Sequence, residues 1–389
     1  MASLQYNPAD LEAYGCNTTE ATELRLVRPN ASLGASTRYV EFNPEFTYPI
    51  FGEQEIAFGY KDLAIQLYYA SGSLATYFHL DYAEKFQGVA SSSSEAEPLA
   101  ADDIEGKLRE FIPHDYMTNY DRFLEKVKED EASFRPLGEK VHEYSLNDGK
   151  DQFEIYKSSF SSEKFRTYHE RMQLFMLLYV EGSSYIDSED DKWSIYTIFK
   201  REDAADVTSY HFVGYATLYP FFCWPDKIRM RISQFLILPP FQSHGHGSIL
   251  YSTLYKESMA RNDVVEMNVE DPNDNFADLR DKNDMRMLID ADAFKGLKAP
   301  VSDEFVDMAR KKYKLTKRQM QRCIEIYLLQ HLDKRKASDY KSYRLQVKTR
   351  LYKFNLDALR DMEANERLEK LQETYKGVEE DYHRIIELI

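Results

Sequence analysis

The spacing of apolar positions divides the chain into three stretches of different character. Residues 56–78 are dense in Tyr, Phe, Ile and Leu, which suits strands, and 102–128 read as helix interrupted at Pro113. Between them, the run Ser91–Ser94 followed by Glu95, Glu97 and Pro98 reads as an exposed loop. Leu146-Asn147-Asp148-Gly149 is a turn signal, with a strand expected at 153–156. Residues 161–181 carry Phe165, Tyr168, Met172, Phe175, Met176 and Tyr179 at helical spacing, a stripe that reads as core. Strands are expected again at 193–200 and 210–219.

The stretch that follows is the most informative. Ile228, Met230 and Ile232 alternate with Arg229, Arg231 and Ser233. The alternation then gives way to Phe235-Leu236-Ile237-Leu238, an apolar run expected of a strand buried on both faces, and Pro239-Pro240 ends it. A glycine-containing loop, a helix over about 248–262 and a strand over 264–270 come next, ended by Pro272. Strand, loop, helix, strand is a parallel crossover unit, so this region is α/β. From 303 onward the pattern is helical, with helices expected at 303–311, 316–333 and 338–376. Leu345, Leu351, Leu356, Leu359 and Met362 are the candidate buried positions of the last one.

Composition sharpens this picture in two places. The net charge is -16. Residues 1–300 hold 30 basic and 50 acidic side chains, whereas 310–353 hold 15 basic and three acidic ones. An acidic body disfavours non-specific nucleic-acid binding and favours cationic partners, and it also keeps a protein in solution. The basic stretch reads as a solvated helical face, since it contains no DNA-binding motif. Three scattered cysteines, Cys16, Cys223 and Cys323, fit neither a disulfide framework nor a zinc site. No apolar run is long enough to span a membrane, and the first residues have no secretory pattern, so neither membrane nor secretion is expected.

Candidate chemistry gathers around Gln242-Ser243-His244-Gly245-His246-Gly247, between a strand and a helix. Glycines there let backbone N–H groups approach a ligand, and the helix start adds its positive dipole end, which suits a pyrophosphate. No Gly-Lys-Ser/Thr follows, so a P-loop is excluded, and the dinucleotide fingerprint lacks its third glycine. His244 and His246 do not make a metal site, because no third ligand is in reach by sequence. Glu270 and Asp271 end the last strand, and Glu181 sits in a Gly-Ser-rich turn. A carboxylate at the end of such a strand, beside the loop, is well placed as a general base, so Glu270 reads either as that base or as a surface acid, and Glu181 reads as a surface acid.

Several strings together resemble one family. Gln-x-x-Gly-x-Gly after Leu-Ile-Leu-Pro-Pro is similar to the acetyl-CoA loop of the GNAT acetyltransferases. Phe51-Gly52-Glu53-Gln54-Glu55-Ile56, Tyr168-His169-Glu170-Arg171, Ser233-Gln234-Phe235-Leu236-Ile237, Val269-Glu270-Asp271-Pro272-Asn273 and Leu279-Arg280-Asp281 resemble the catalytic subunits of type B histone acetyltransferases. The resemblance spans about 40–290. It implies a GNAT domain at 151–298, a mixed α/β N-terminal domain at 1–150 and a helical C-terminal domain at 299–389.

It also implies roles. Phe235, Leu236 and Ile237 would hold the acetyl and pantetheine portion, with backbone N–H groups at about 236–238 stabilising the oxyanion. Gln242, Ser243, His244, Gly245, His246, Gly247 and Ser248 would cradle the pyrophosphate, and Asn273 and Lys282 would touch acetyl-CoA further along. Glu270 would be the general base, with Glu181 and Asp271 near the reaction centre. Glu53, Gln54, Glu55, Tyr219, Pro220 and Phe221 would line the peptide groove. The implied substrate is free histone H4, carried with H3, and the implied partner is a WD-repeat histone chaperone of the retinoblastoma-binding kind. The implied setting is cytoplasm and nucleus, with no metal and no direct nucleic acid. Two alternatives stay open: a GNAT enzyme for another protein or a small amine, and a histone-carrying subunit that binds without turnover.

Overall fold

The computed structural model describes residues 11–28, 38–88, 99–204, 207–333 and 335–389. The Ser91–Ser94 loop lies outside them. The fold is mixed α/β, and the chain divides into two compact units, Met1–Leu218 with Gln234–His244 and Tyr219–Ser233 with Gly245–Ile389.

In the first unit, β1 (Thr22–Arg28), β2 (Arg38–Phe42), β3 (Ala64–Ala70) and β4 (Thr76–Asp81) form a sheet in the order β2-β1-β3-β4. The β1–β3 pair is parallel and the other two pairs are antiparallel. Period-two alternation gives this sheet two apolar faces. Leu24, Leu26, Ile65, Leu67 and Tyr69 enter the main core. Val27, Tyr68, Ala70 and Tyr77 pack with Phe123 and Val127 of helix α1 (Tyr120–Ser133).

A second set of strands, β5 (Glu139–Leu146), β6 (Asp151–Ser158), β7 (Ser194–Ala204) and β8 (Val207–Cys223), pairs antiparallel in chain order. Between β6 and β7 run α2 (Glu163–Met172) and α3 (Leu174–Tyr179). The expected single helix over 161–181 is broken at Gln173, and Val180 is already extended. The apolar stripe is core nonetheless: Phe165, Tyr168, Met172, Phe175 and Met176 are all buried.

Strand β9 (Lys227–Ile237) is followed by a short 3₁₀ turn at Pro239–Phe241. In the first unit, the Leu238 N–H donates to the Val213 carbonyl at 2.9 Å. At Gly214 a Cβ would lie 2.3 Å from the Leu236 carbonyl oxygen, so only glycine permits this approach. The alternation of β9 continues further than the sequence pattern suggests. Met230, Ile232, Gln234 and Leu236 are buried, and Phe235 is only half-buried.

In the second unit, α4 (His246–Ala260) joins β9 to the parallel strand β10 (Val264–Val269), with Ile232 opposite Val269. Helix α5 (Asp274–Asp290) packs against α4. Then come α6 (Asp303–Tyr313), α7 (Lys317–Gln330), α8 (Ala337–Phe354) and α9 (Ala364–Leu388). The long helix expected at 338–376 is instead two helices that pack together. Lys348 donates to Gln372 at 2.6 Å and Tyr340 to Glu379 at 3.0 Å across them. Of the expected positions Leu351 and Leu359 are buried and Leu345 and Leu356 are exposed, and the fold-back adds Tyr343 and Val347 to the buried stripe.

Candidate active site

The chain leaves β9 into the glycine loop and re-enters regular structure at α4. Ser243 has φ 62° and Gly245 φ 91°, so left-handed positions flank His244. Gly245 is the residue that starts the helix, and a Cβ there would meet nothing within 4 Å. The glycine is therefore needed for its backbone angle rather than for space. Gln242 turns its side chain back, donating from Nε2 to the Ile237 carbonyl at 2.8 Å. Residues 242–245 are exposed, whereas the His246 side chain is buried. The N–H groups of the first helical turn have no intrahelical acceptor, and they point toward the loop. Such a start accepts an anion.

Helix α5 reinforces this start from the side. Asn283 donates to Ser248 Oγ at 3.0 Å and to the Leu279 carbonyl at 2.7 Å. Asn273 caps α5 by accepting from the Phe276 N–H at 2.9 Å. Lys282 is half-buried one position before Asn283. Beneath lies a buried polar network. Tyr251 donates to Asp284 at 2.8 Å, and Gln319 of α7 donates to Asp281 at 2.9 Å and to Asp284 at 3.0 Å. Arg322 donates to Asp281 at 2.6 Å, and Arg280 lies 3.6 Å from Asp284. Burial pushes the Asp284 carboxyl up to about 6 while Arg280 draws it back. Burial likewise raises the Cys323 thiol, which keeps it protonated and inert.

Glu270 follows the last residue of β10. Its N–H donates to the Ile232 carbonyl at 3.0 Å, which fixes its backbone to β9. Asp271 has φ 32°, a left-handed backbone at the turn that ends the strand. Glu270 is 46% exposed, and its Oε1 lies 3.6 Å from Arg231 Nη1. The Arg231 guanidinium carbon sits 4.1 Å from the centre of the Phe221 ring, and Phe221 in turn meets Tyr219 edge-on at 5.0 Å. Phe221, Arg231 and Glu270 thus form one cluster in the second unit, with Pro220 half-buried beside it in the chain.

The other expected site residues gather in the first unit. Glu55 has φ 52°, and its Oε1 accepts from the N–H groups of Thr47 and Tyr48. The Tyr48 hydroxyl accepts from the Gly182 N–H at 3.0 Å, next to exposed Glu181. Two residues on, the Ser184 carbonyl accepts from Gln234 Nε2 at 2.9 Å. One hydrogen-bonded path therefore links the 47–55 turn, the 181–184 turn and the buried polar residue of β9. Glu53 and Gln54 are exposed beside Glu55. The expected N–H donors at 236–238 need one correction: Leu238 is committed to Val213 and has no free donor to offer. Among the described residues, no group of three or more His, Cys, Asp or Glu side chains is arranged to hold a metal ion.

Comparison with known proteins bears on this geometry. Residues 14–181 match the family model "Histone acetyl transferase HAT1 N-terminus", and residues 281–333 match "Fungal HAT1, C-terminal". The histone acetyltransferase type B catalytic subunit of Cryptococcus neoformans is 40% identical over 97% of this chain and 98% of its own. The chain belongs to the family of type B histone acetyltransferase catalytic subunits. The Homo sapiens member is 36% identical over 97% of this chain and 94% of its own. An aminoglycoside acetyltransferase from an uncultured soil metagenomic sample is 15% identical, covers 34% of this chain and 86% of that one, and has a TM-score of 0.24.

As a member of this family the chain is an acetyltransferase that uses acetyl-CoA. In the second unit, the left-handed corner at Gly245 and the helix start behind it could hold the phosphates of that substrate. The sequence reading missed Arg231, Asn283 and the network around Asp284. The signal for the network was present in part. Arg280 and Asp284 stand four apart and Tyr251 lies on the preceding helix, but only the fold brings Gln319 to them. Arg231 was assigned to the polar face of its strand without a partner.

Proposed function

We propose that this chain is a GNAT-fold enzyme that transfers acetyl from acetyl-CoA directly to lysine side chains near the N-terminus of free histone H4, with Glu270 as general base. The observation that carries the reading is the position of Glu270. Glu270 leaves from the carboxyl end of β10, which runs parallel to β9, and this is the end at which open α/β sheets bind ligands. A lysine ammonium has a pKa of ~10.4 and must lose its proton before the amine attacks the thioester carbonyl. Glu270, half-exposed at the strand end, is within reach of solvent and of an incoming side chain. In this reading Glu181 and Asp271 take supporting roles and do not carry the proton.

The acidic balance of residues 1–300 supports a basic substrate. In the second unit, the Tyr219–Phe221 ring pair would meet a tail rich in lysine and glycine, and exposed Glu53 and Gln54 of the first unit are carboxylate and amide groups suited to the same chemistry. In this reading H4 arrives with H3, a WD-repeat histone chaperone is the partner, and the setting is cytoplasm and nucleus. None of the described helices is long and apolar enough to cross a membrane.

The test is acetyl transfer to an H4 N-terminal peptide with wild type and Glu270→Gln side by side. The variant is expected to bind acetyl-CoA normally and to lose roughly 10²–10⁴-fold in kcat. Full activity in the variant removes Glu270 from the chemistry. A wild type that binds acetyl-CoA and leaves the peptide untouched removes the H4 assignment.

A further inference from the structure

The cluster at the end of β10 contains a cation of its own. Arg231 lies between the Phe221 ring and the Glu270 carboxylate, 4.1 Å and 3.6 Å away. An aromatic face and a carboxylate are what a substrate ammonium would seek at this place. Two buried polar atoms nearby are unused. Arg231 Nε, a donor, and Asn268 Oδ1, an acceptor, both lack a hydrogen-bond partner among the described residues. Arg231 and Asn268 are directly opposite one another in the parallel register of β9 and β10, so their side chains leave the same face of the sheet. An unpaired buried donor beside an unpaired buried acceptor costs free energy in the state described, and a turn of the arginine side chain would satisfy both.

We propose that Arg231 is a placeholder for the substrate lysine. It occupies the Phe221–Glu270 site when no substrate is present, and it shifts onto Asn268 when the substrate's ammonium takes that site. The inference rests on the reading of Glu270 as the residue that faces the substrate lysine. Arg231 is a positioning residue here. It exchanges no proton, and it sets how strongly a cation must bind to enter. A lysine makes the exchange because it delivers one compact charge, whereas a neutral side chain has nothing to offer Glu270 in return. The site therefore discriminates by replacement, and the displaced guanidinium has a ready acceptor.

The test is steady-state kinetics with an H4 N-terminal peptide varied at saturating acetyl-CoA. Arg231→Gln removes the competitor and is expected to lower the peptide KM about three- to tenfold, the scale of an exposed ion pair plus a cation–π contact. Changes at Asn268 should move KM in opposite directions. Asn268→Leu deletes the resting place and raises it, and Asn268→Asp strengthens the resting place and lowers it. In the Arg231→Gln background, Asn268→Leu should have no effect on KM. The KM for acetyl-CoA and the melting temperature report on folding, and the Asn268 pair tests the idea even where Arg231→Gln does not fold. An unchanged or raised KM in a folded Arg231→Gln overturns the proposal. So does a same-direction response of the two Asn268 variants. If Glu270→Gln is inactive while these KM values stay flat, only the placeholder falls. If Glu270→Gln is fully active, the reading beneath it falls as well.

Discussion

The interiors of the two units are built from different materials. Around α2 and α3 the first unit is held by rings. Phe175 stacks on Phe212 at 6.3 Å and meets Tyr69 at 4.8 Å, and Phe160 meets His169 edge-on at 4.9 Å. Between α4, α5 and α7 the second unit is held by charges and amides, with Asp281, Asp284, Arg280, Gln319 and Arg322 within one network. The burial of apolar surface is non-directional and rewards volume. A buried polar network rewards geometry, and each missing member leaves a partner stranded. The network stands under the helix that follows the glycine loop, where fixed orientation has a use.

The two interiors should also respond to acid in opposite senses. His169 is buried with no partner for Nε2 among the described residues, and burial pushes its pKa down to about 4. Its folded pKa lies below the ordinary 6.5, so the unfolded chain binds the extra proton between those values. Stability from this residue is therefore lost as pH falls from about 6.5 to about 4. Asp284 is the reverse, with its folded pKa raised to about 6. The folded state binds the extra proton, so its contribution is complete below about 3.8 and is lost as pH rises through 6. Mild acid strains the ring-built interior and relieves the charge-built one.

The comparison can be broken most forcefully by Phe175→Ala. This fully buried ring should cost about 3–5 kcal/mol, read as a fall in the denaturant midpoint. A loss below about 1 kcal/mol would mean that the ring packing matters little. Next, His169→Phe should flatten the acid limb. Relative to wild type, the variant should gain about 2–3 kcal/mol on going from pH 7.5 to pH 4.5, and parallel pH curves would contradict the assignment. In the second unit, Gln319→Leu strands acceptors on Asp281 and Asp284 and should cost about 1–3 kcal/mol, whereas a gain in melting temperature would refute the network. The smallest effect is expected at the surface. Arg384→Ala removes exposed pairs with Asp278 and Asp381 and should cost below about 1 kcal/mol, shrinking further in high salt.

The ring-built interior was largely legible in the sequence. The stripe from Phe165 to Met176 has helical spacing, and each member is bulky and apolar, so spacing alone announces burial. The crossover unit from β9 through α4 to β10 was legible for the same reason. The break at Gln173 was not, because glutamine is a good helix former and nothing local ends the turn there. The fold-back between α8 and α9 was missed because no proline or glycine marks it. The charge-built interior was hardly legible at all. Arg280, Asp281, Asp284 and Gln319 are residue types that usually face water, and their burial depends on α5 and α7 meeting. In the site, the glycine loop was visible by motif, and Arg231 was hidden because its partners lie on other strands.

One further consequence belongs to Gly245. Since a Cβ there would meet only open space, Gly245→Ala would leave every contact of the folded loop intact. What it would change is how often the loop holds its shape. A left-handed angle costs an alanine about 1–2 kcal/mol, which raises the ratio of misshapen to formed loop roughly five- to thirtyfold. Under the proposed role of the loop, the apparent affinity for acetyl-CoA would drop by the fraction of formed loop lost, by up to that same factor, with the contacts of the bound form unaltered. In this corner of the molecule, affinity is written in occupancy rather than in contact.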